Sequence, residues 1–383
     1  MDLILGIDLC ENNTQVSYYF EKDNDIVSVP FSGNRMIIEN DQPLSSVISE
    51  IANGNPDVKE AYKKYIIGLL DNAVHHTTIE NIAWIGVTLE NYHIDALDVL
   101  KQIFTELGFG KKVSFISHEE SFCNYVVTTK KELWNSGCAL IDFSSKGLKF
   151  SLLNNARIPE GNVITVNSTD IAAKEVKQIL AGELDLKDAS DFLVQVTNEN
   201  FGKQIVSSVY LTGAIFDKFE LPKEYTQFLC SKRRAFAGQN LFVKGACIEA
   251  AIKAKAFDMS EYIFACANRL TATIEMDIVE KGVPMKFRIA KAGNNWYAST
   301  RVFDCILNAT EAVSLRVTNL GAKDSKSISI SLDEIPKRPA KTTRVEIGFS
   351  FKGADRCLVT IKDKGFGEFF KSSGTVIHRE LEL

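Results

Sequence analysis

Two segments of the chain share one pattern: an apolar strand that ends at an aspartate, a short turn, and a second strand. The first is GIDLCENNTQVSYY at residues 6–19, and the second is ALIDFSSKGLKFSLL at residues 139–153. Their aspartates are Asp8 and Asp142. A carboxylate at the end of a buried strand carries a desolvation cost unless that cost is offset by pairing or hydrogen bonding, so its presence suggests that the charge is needed there. The repeat predicts two lobes, with the two aspartates facing each other across one cleft.

Strand and helix patterns alternate up to about residue 255, and strand patterns alone follow. Apolar residues recur at helical spacing in residues 58–74, 93–108 and 170–182. From about residue 268 the pattern is strand, turn, strand, as in an all-β domain. We therefore expect an α/β domain at residues 1–255 and a β-sandwich at residues 256–383.

Composition excludes several classes of partner. The net charge of -5 and the pI near 5.7 argue against bulk affinity for nucleic acid or anionic membrane. No apolar run is long enough to span a bilayer, and no basic segment precedes an apolar stretch at the N-terminus. The eight cysteines form no close pair, and the five histidines lack metal-ligand spacing. These features predict a cytoplasmic protein with reduced cysteines, and no metal site is assigned to the histidines.

Phosphate chemistry explains the repeated turns. Facing turns of this kind hold a triphosphate through backbone N–H groups, while their aspartates bind a hydrated Mg²⁺. A third element, VYLTGAIFDKF at residues 209–219, ends a strand at Thr212-Gly213, where glycine permits close approach of the backbone to a ligand. An aspartate at a strand end is also a common turn former, so both interpretations of Asp8 and Asp142 stay open.

The three elements, in this order, resemble the nucleotide-binding core shared by actin, sugar kinases and the seventy-kilodalton heat-shock chaperones. Residues 78–122 and AFAGQNLFVKGACIEAAIKA at 235–254 are similar to further parts of the chaperone domain. SLDEIPKRPAKTTRVEIGFSFKGADRCLVTIKDKG at 331–365 looks like the last strands of the chaperone peptide-binding sandwich. The resemblance implies an actin-like (ribonuclease-H-like) two-lobed nucleotide-binding domain followed by a substrate-binding β-sandwich.

The resemblance also implies site residues, with ATP and Mg²⁺ as possible cofactors. The catalytic candidates are Asp8, Glu119 and Asp142, and the two aspartates would hold Mg²⁺ through water. The nucleotide-binding candidates lie in the three turns: Asn12, Asn13, Thr14, Ser144, Ser145, Lys146, Gly147, Gly213 and Ala214. Glutamates at a helix N-terminus are more often caps than catalysts, and this alternative remains for Glu119.

The positions that carry function depart from the family pattern. Cys10 and Glu11 replace a glycine and a threonine of the first turn, and a glutamate beside a triphosphate would repel it. Bulkier residues, Phe143 to Lys146, replace glycines of the second turn. No lysine or arginine occurs between Arg35 and Lys59, where the family has the lysine that orients water. We expect ATP hydrolysis to be weak or absent.

The β region is where we expect binding to persist. The segment CILNAT at residues 305–310 falls where the chaperones have a groove loop, so Cys305, Ile306, Leu307 and Asn308 are candidate peptide-binding residues. Ile306 and Leu307 are apolar, and apolar residues in a solvated loop indicate a contact with a partner. The two side chains could equally pack into the sandwich core.

Two hypotheses follow. The first is a chaperone-like protein with a degenerate ATP cleft and a β-sandwich that binds a peptide or protein partner. The second is a non-catalytic structural or filament-forming scaffold of the actin superfamily. A small-molecule kinase is disfavoured because the β-sandwich has no role in it.

Overall fold

The computed structural model describes residues 3–20, 25–31, 35–74, 78–144, 147–213, 221–308 and 310–383. It divides into unit 1, with residues 1–157 and 162–262, and unit 2, with residues 158–161 and 263–383. Within the described residues, no helix combines the length and the apolar character that a membrane crossing requires.

The first lobe of unit 1 is a mixed sheet with helices. Its strands are β1 (Leu3–Leu9), β2 (Asn13–Phe20), β3 (Asp25–Ser28), β4 (Ile38–Glu39), β5 (Ile82–Leu89) and β6 (Val113–Ser117). Its helices are α1 (Leu44–Ala52), α2 (Pro56–Ala73), α3 (Ile94–Glu106) and α4 (His118–Thr128). The strand order is β3-β2-β1-β5-β6, with β4 beside β2. The pairs β1–β2 and β2–β3 are antiparallel, whereas β1–β5 and β5–β6 are parallel.

The second lobe repeats this order. Its strands are β7 (Cys138–Ser144), β8 (Gly147–Ile158), β9 (Gly161–Ile171), β10 (Ser208–Thr212) and β11 (Arg234–Ala237). Its described helices are α5 (Lys174–Ala181), α6 (Leu186–Phe201) and α7 (Lys223–Cys230), and α8 (Leu241–Lys253) follows the last strand of the lobe in the chain. These strands run β11-β10-β7-β8-β9, with β7–β8 antiparallel and β7–β10 and β10–β11 parallel. Unit 1 is therefore a two-lobed α/β fold with a duplicated core, the actin-like arrangement.

Helix α8 packs directly on the first sheet. A side chain at Gly6 would come within 2.4 Å of the Val243 carbonyl oxygen, and one at Gly86 within 2.0 Å of the Ala246 carbonyl oxygen. Both positions must therefore be glycine for the helix to lie this close. All seven residues of β1 are buried, as expected for a central strand with helices on its faces.

Unit 2 is a β-rich region. Its strands are β13 (Ala272–Glu280), β14 (Val283–Ala290), β15 (Arg301–Leu307), β16 (Ala312–Asn319), β17 (Lys326–Ser331), β18 (Thr343–Phe351), β19 (Arg356–Gly365) and β20 (Val376–Glu382), and β12 (Tyr262–Ala265) lies at its start. The eight strands from β13 to β20 form two four-stranded antiparallel sheets, β14-β13-β16-β17 and β15-β18-β19-β20.

Two local predictions are corrected by these bounds. Residues 170 and 171 end strand β9, and the helix expected from residue 170 begins at Lys174. The supposed groove loop is wrong for residues 305–307, since these residues pair with Val345, Arg344 and Thr343 of β18.

Candidate functional site

A cleft opens at the ends of the strands of unit 1. The volume of its main part is about 1280 Å³, and a neighbouring cavity measures about 360 Å³. Both Asp8 and Asp142 line the main part, together with Glu90 and His118. The structure thus brings the two predicted aspartates to one cleft.

Strand register explains why distant residues meet here. Leu9 of β1 pairs with Leu89 of β5, and Leu89 pairs with Ser117 of β6. Because these three strands are parallel, their carboxyl ends lie at one edge of the sheet. That edge therefore collects the residues at or next to the strand ends: Asp8, Cys10, Glu90 and His118.

His118 forms an ion pair with the first aspartate. Its Nε2 atom lies 2.9 Å from Asp8 Oδ1, and Asp8 is only 1% exposed. The imidazole stacks on Phe242 with ring centroids 3.8 Å apart and an interplanar angle of 9°. His118 is the first residue of α4, whose start is fixed by a capping box between Ser117 and Glu120. The ring is therefore positioned by the helix start, by the stack on Phe242 and by the contact with Asp8.

Cys10 completes a cluster with these two residues. Its Sγ atom lies 3.4 Å from Asp8 Oδ1 and 3.8 Å from His118 Nε2. Burial and then the Asp8 charge raise the pKa of the Cys10 thiol well above its usual range, so it is a neutral thiol. The acid and the sulfur lie at the same ring nitrogen of the histidine. A nucleophilic triad needs them at opposite nitrogens, and this cluster is not one.

Charge in the cleft perturbs two more groups. Burial lowers the pKa of His118, but the Asp8 carboxylate, aided by Asp142 and Glu90, outweighs burial and raises that pKa overall. Burial raises the pKa of Asp142 to about 6; His118 and Lys149 oppose this rise, and Glu90 and Asp8 add to it. The floor of the cleft thus holds the carboxyl groups of Asp8, Glu90 and Asp142 around the His118 imidazolium.

Glu11 lines the cleft, and its carboxylate is engaged by a neighbouring helix. Its Oε1 atom accepts hydrogen bonds from the backbone N–H of Ser45, at 3.3 Å, and from the Ser45 hydroxyl. Ser45 is in the first turn of α1, so Glu11 caps that helix and complements its dipole. The glutamate that departs from the family's phosphate turn therefore has a local structural role.

The remaining residues of the first turn are also engaged locally. Thr14 is buried and donates to Asn40 Oδ1 at 3.0 Å, and Asn40 in turn donates to the backbone carbonyl of Cys10. Asn12 and Asn13 line the main cleft.

The other described candidates lie around the two cavities. Ser144 lines both of them, whereas Gly147 and Glu119 line the smaller one, where Glu119 lies 3.7 Å from Lys149 Nζ. The candidates Ser145, Lys146 and Ala214 lie outside the described residues.

Gly213 lines the cleft and also lies very close to the backbone of Phe143. Its φ is +108°, and an added side chain would come within 2.2 Å of the Phe143 carbonyl oxygen. Gln239 clamps the same residue by accepting from its N–H at 3.2 Å and donating to its carbonyl at 2.8 Å. Gln15 of the first lobe donates to the Gln239 carbonyl at 2.8 Å. The third element therefore joins the lobes.

The predicted peptide-binding residues lie in unit 2. Ile306 is 55% exposed at the outer face of β15, and Asn308 is exposed just beyond the strand. Cys305 and Leu307 are half-buried, and Leu307 lines a cavity of about 200 Å³. Of the two apolar candidates, only Ile306 projects into solvent.

Sequence reasoning missed His118, because it looked for histidine ligands close together in sequence. The histidine and Asp8 are 110 residues apart, and only the parallel pairing of β1, β5 and β6 joins them. The available signal was a histidine directly after a strand in a sheet whose other strand ends carry acids.

Comparisons with known proteins give a family and a set of similar folds. The family described as "Family of unknown function (DUF5716) C-terminal" matches residues 47–267, and a "Domain of unknown function (DUF8552)" matches residues 269–383. No curated protein matches the sequence significantly.

Solved structures similar to this chain cover about two thirds of it. The inorganic polyphosphate/ATP-glucomannokinase of Arthrobacter sp. strain KM is 13% identical, with a TM-score of 0.44 over 66% of this chain and 100% of the kinase. Component A of (R)-2-hydroxyglutaryl-CoA dehydratase from Acidaminococcus fermentans is 12% identical, with a TM-score of 0.36 over 67% and 100%. The ethanolamine utilization protein EutJ from Carboxydothermus hydrogenoformans is 9% identical, with a TM-score of 0.38 over 65% and 90%. At such low similarity, the fold assignment rests on the strand order of this chain itself.

Proposed function

We propose that this chain, which belongs to the family of unknown function DUF5716, is a non-hydrolysing actin-like scaffold whose β-rich unit 2 binds a peptide or protein partner. Its cleft contains both strand-end aspartates, but Asp8 does not bind hydrated Mg²⁺. This is the chaperone-like architecture that the sequence implies, without an ATPase cycle.

The ion pair between His118 and Asp8 carries this proposal. Hydrated Mg²⁺ requires open carboxylate oxygens and room for its waters. Here an imidazole nitrogen lies 2.9 Å from Asp8 Oδ1, and its ring is fixed by Phe242. A magnesium ion would have to displace a cation that is already paired and packed.

The charge of the cleft supports the same conclusion. Carboxylates outnumber basic groups among the described lining residues of the two cavities. The acids are Asp8, Glu11, Glu39, Glu90, Glu119, Asp142 and Asp170, and the basic residues are Arg35, Lys149 and His118. A triphosphate without its metal would be repelled by this surface. Phosphoryl transfer depends mainly on positioning and on stabilising negative charge, and the described lining offers only Arg35, Lys149 and His118 for the second task.

ATP turnover and nucleotide binding test the cleft. We expect no Mg²⁺-dependent ATP hydrolysis by the full chain, and no thermal stabilisation by millimolar ATP and Mg²⁺. A ligand at a hundred times its Kd would add about 2.7 kcal/mol, which a thermal shift detects. The control for Asp8→Asn is Asp191→Asn, at an exposed site on α6. Turnover that Asp8→Asn abolishes and Asp191→Asn preserves would overturn the proposal.

For unit 2, we infer that its two sheets pack face to face as a sandwich. Alternate residues of β18 are buried, among them Val345, Ile347 and Phe349, as expected for a strand with one inward face. The rings of Phe287 in one sheet and Phe303 in the other are 5.0 Å apart.

The exposed edge of this unit supports partner binding. In the described part of its sheet, β15 is an end strand. Val302 and Ile306 project from it with 63% and 55% exposure. An extended segment that adds to such an edge gains main-chain hydrogen bonds, and alternate side chains supply specificity.

Peptide titration of the full chain tests this surface. We expect labelled unfolded peptides to bind with modest affinity, and the double variant Val302→Ser with Ile306→Ser to weaken binding without loss of folding. Ile205→Ser is the matched control, because Ile205 is 75% exposed in unit 1. Equal binding by both variants, or none by the wild type at high micromolar peptide, would refute the edge as a binding surface.

A further inference from the structure

We propose that Asp8, Cys10 and His118 form a binding site for a single divalent transition metal ion, with Zn²⁺ as the best match. The inference rests on the proposed function in one respect, that Asp8 does not hold hydrated Mg²⁺. It assigns the same position of the cleft to a softer ion.

The three donor atoms lie at distances suited to one small ion. In a tetrahedral zinc site, bond lengths of about 2.0 Å to O and N and about 2.3 Å to S place the ligand atoms about 3.3 Å (N to O), 3.5 Å (S to O) and 3.5 Å (S to N) apart. In this chain the corresponding distances are 2.9, 3.4 and 3.8 Å. The two sulfur pairs agree to within about 0.3 Å with those values. The Asp8–His118 pair, now joined by a hydrogen bond, needs to open by about 0.4 Å.

The backbone places these ligands before any ion arrives. Asp8 is in β1 and Cys10 directly follows that strand, and the Cys10 sulfur lies 3.4 Å from Asp8 Oδ1. His118 is held by the start of α4 and by the stack on Phe242. Binding would therefore require only small side-chain movements, and little conformational entropy would be lost.

The donor set selects the class of metal. A thiolate and an imidazole suit zinc and similar borderline ions, whereas Mg²⁺ and Ca²⁺ prefer oxygen ligands alone. The nearby carboxylates of Glu90 and Asp142 line the same cleft and give it the negative field that attracts a cation. Since the site opens into the cleft, a water or another oxygen ligand would complete the tetrahedron, as in sites with three protein ligands.

Loading the site is an exchange of protons for the ion. The neutral thiol and the imidazolium each release one proton to solvent, and the divalent cation takes the lone pairs of Cys10 Sγ, His118 Nε2 and Asp8 Oδ1. The charge of the cluster is conserved, because two protons leave as two positive charges enter. No oxidation or reduction takes place.

Metal titration of the full chain, stripped with a chelator, tests the site. We expect one Zn²⁺ per chain with a Kd below about 1 μM, measured by competition with a chromogenic indicator. Co²⁺ in its place should give a thiolate-to-cobalt charge-transfer band. Cys10→Ser should abolish that band and weaken Zn²⁺ binding about 100-fold or more, beyond what loss of an outer-shell partner causes. Cys230→Ser, at an exposed cysteine outside the cleft, should change neither.

His118→Gln gives a second, independent reading, with folding of each variant checked by circular dichroism. Absence of Zn²⁺ binding up to about 100 μM, or binding that Cys10→Ser leaves intact, would overturn the metal site. Such a failure leaves the proposed function standing, because ATP turnover is measured separately. Conversely, Mg²⁺-dependent hydrolysis would refute the proposed function whatever the zinc result.

Discussion

Asp8 of unit 1 and Asp363 of unit 2 are both buried, but they differ in how fully their charge is satisfied. Asp363 accepts two hydrogen bonds from Arg338, two from the N–H and hydroxyl of Ser373, and one from the N–H of Gly365. Asp8 is bonded at a single oxygen by His118 and, more weakly, by Cys10. Further carboxylates surround Asp8, and a cleft opens beside it.

This difference separates a structural carboxylate from one available to a ligand. Hydrogen bonds from Arg338 hold the pKa of Asp363 well below its usual range. Burial raises this pKa, and hydrogen bonds from Ser373 and Gly365 lower it further. Donors occupy both its oxygens, so no capacity remains for an ion or substrate. An acid that is only partly satisfied, in a field of other acids, favours cation binding instead.

The largest effect we expect is in unit 2. Arg338→Ala leaves Asp363 buried without its cation and should lower the free energy of unfolding by about 3–5 kcal/mol. Urea denaturation of the full chain measures this. Lys337→Ala is the control, because it breaks the exposed pair with Glu311 and should cost less than about 1 kcal/mol. Similar losses for the two variants would remove the distinction between the buried and exposed pairs.

Variants of the Asp8–His118 pair should lower the free energy of unfolding by less, and by different amounts for the two partners. His118→Ala leaves the Asp8 carboxylate buried beside Glu90 and Asp142, and should cost about 2–3 kcal/mol. Asp8→Asn costs only about 1 kcal/mol, since the histidine can then release its proton. Both are measured by urea denaturation with a chelator present, so that no bound metal adds stability. If Asp8→Asn costs as much as His118→Ala, the pair is structural, like that of Asp363.

Asp142→Asn should stabilise the protein at neutral pH. The folded-state pKa of about 6 lies above the ordinary 3.8, so the folded chain binds the proton more tightly than the unfolded chain. The stability contributed by this group is complete below pH 3.8 and is lost as the pH rises through 6. We expect Asp142→Asn to add about 1–2 kcal/mol at pH 8. The gain should shrink steadily toward pH 4 in urea titrations, and a gain that does not depend on pH would contradict this origin.

The sequence predicts the elements that local patterns define. The buried strands β1 and β7 are visible because central strands read as continuous apolar runs, and each ends near its aspartate. Pairing with neighbours overrides such patterns elsewhere. Residues 170 and 171 belong to strand β9 despite their helical spacing, and residues 305–307 belong to β15, which pairs with β18.

The site is less predictable than the fold, because its chemistry comes from residues distant in sequence. The strand-end acids were identifiable one by one, but their partner His118 was not, since strand register brings it to Asp8. Resemblance to a family assigned Gly213 to nucleotide binding, but it did not predict that the missing side chain also accommodates the Phe143 backbone.

The smallest effect concerns Glu11, which the comparison with Asp363 helps to interpret. Glu11 is exposed to the cleft, yet its charge is already used at the N-terminus of α1 through Ser45. Glu11→Gln should therefore cost only about 0.5–1 kcal/mol, because it weakens a cap and a helix-dipole interaction near solvent. Urea denaturation would show this loss. Asn55→Ala, which removes the N-cap of α2, is the comparison variant and should have an effect of similar size. If Glu11 instead suppressed nucleotide binding, Glu11→Gln would leave stability unchanged and produce a thermal shift with ATP and Mg²⁺. We expect the opposite, since the His118–Asp8 pair would still occupy the position where the metal is needed.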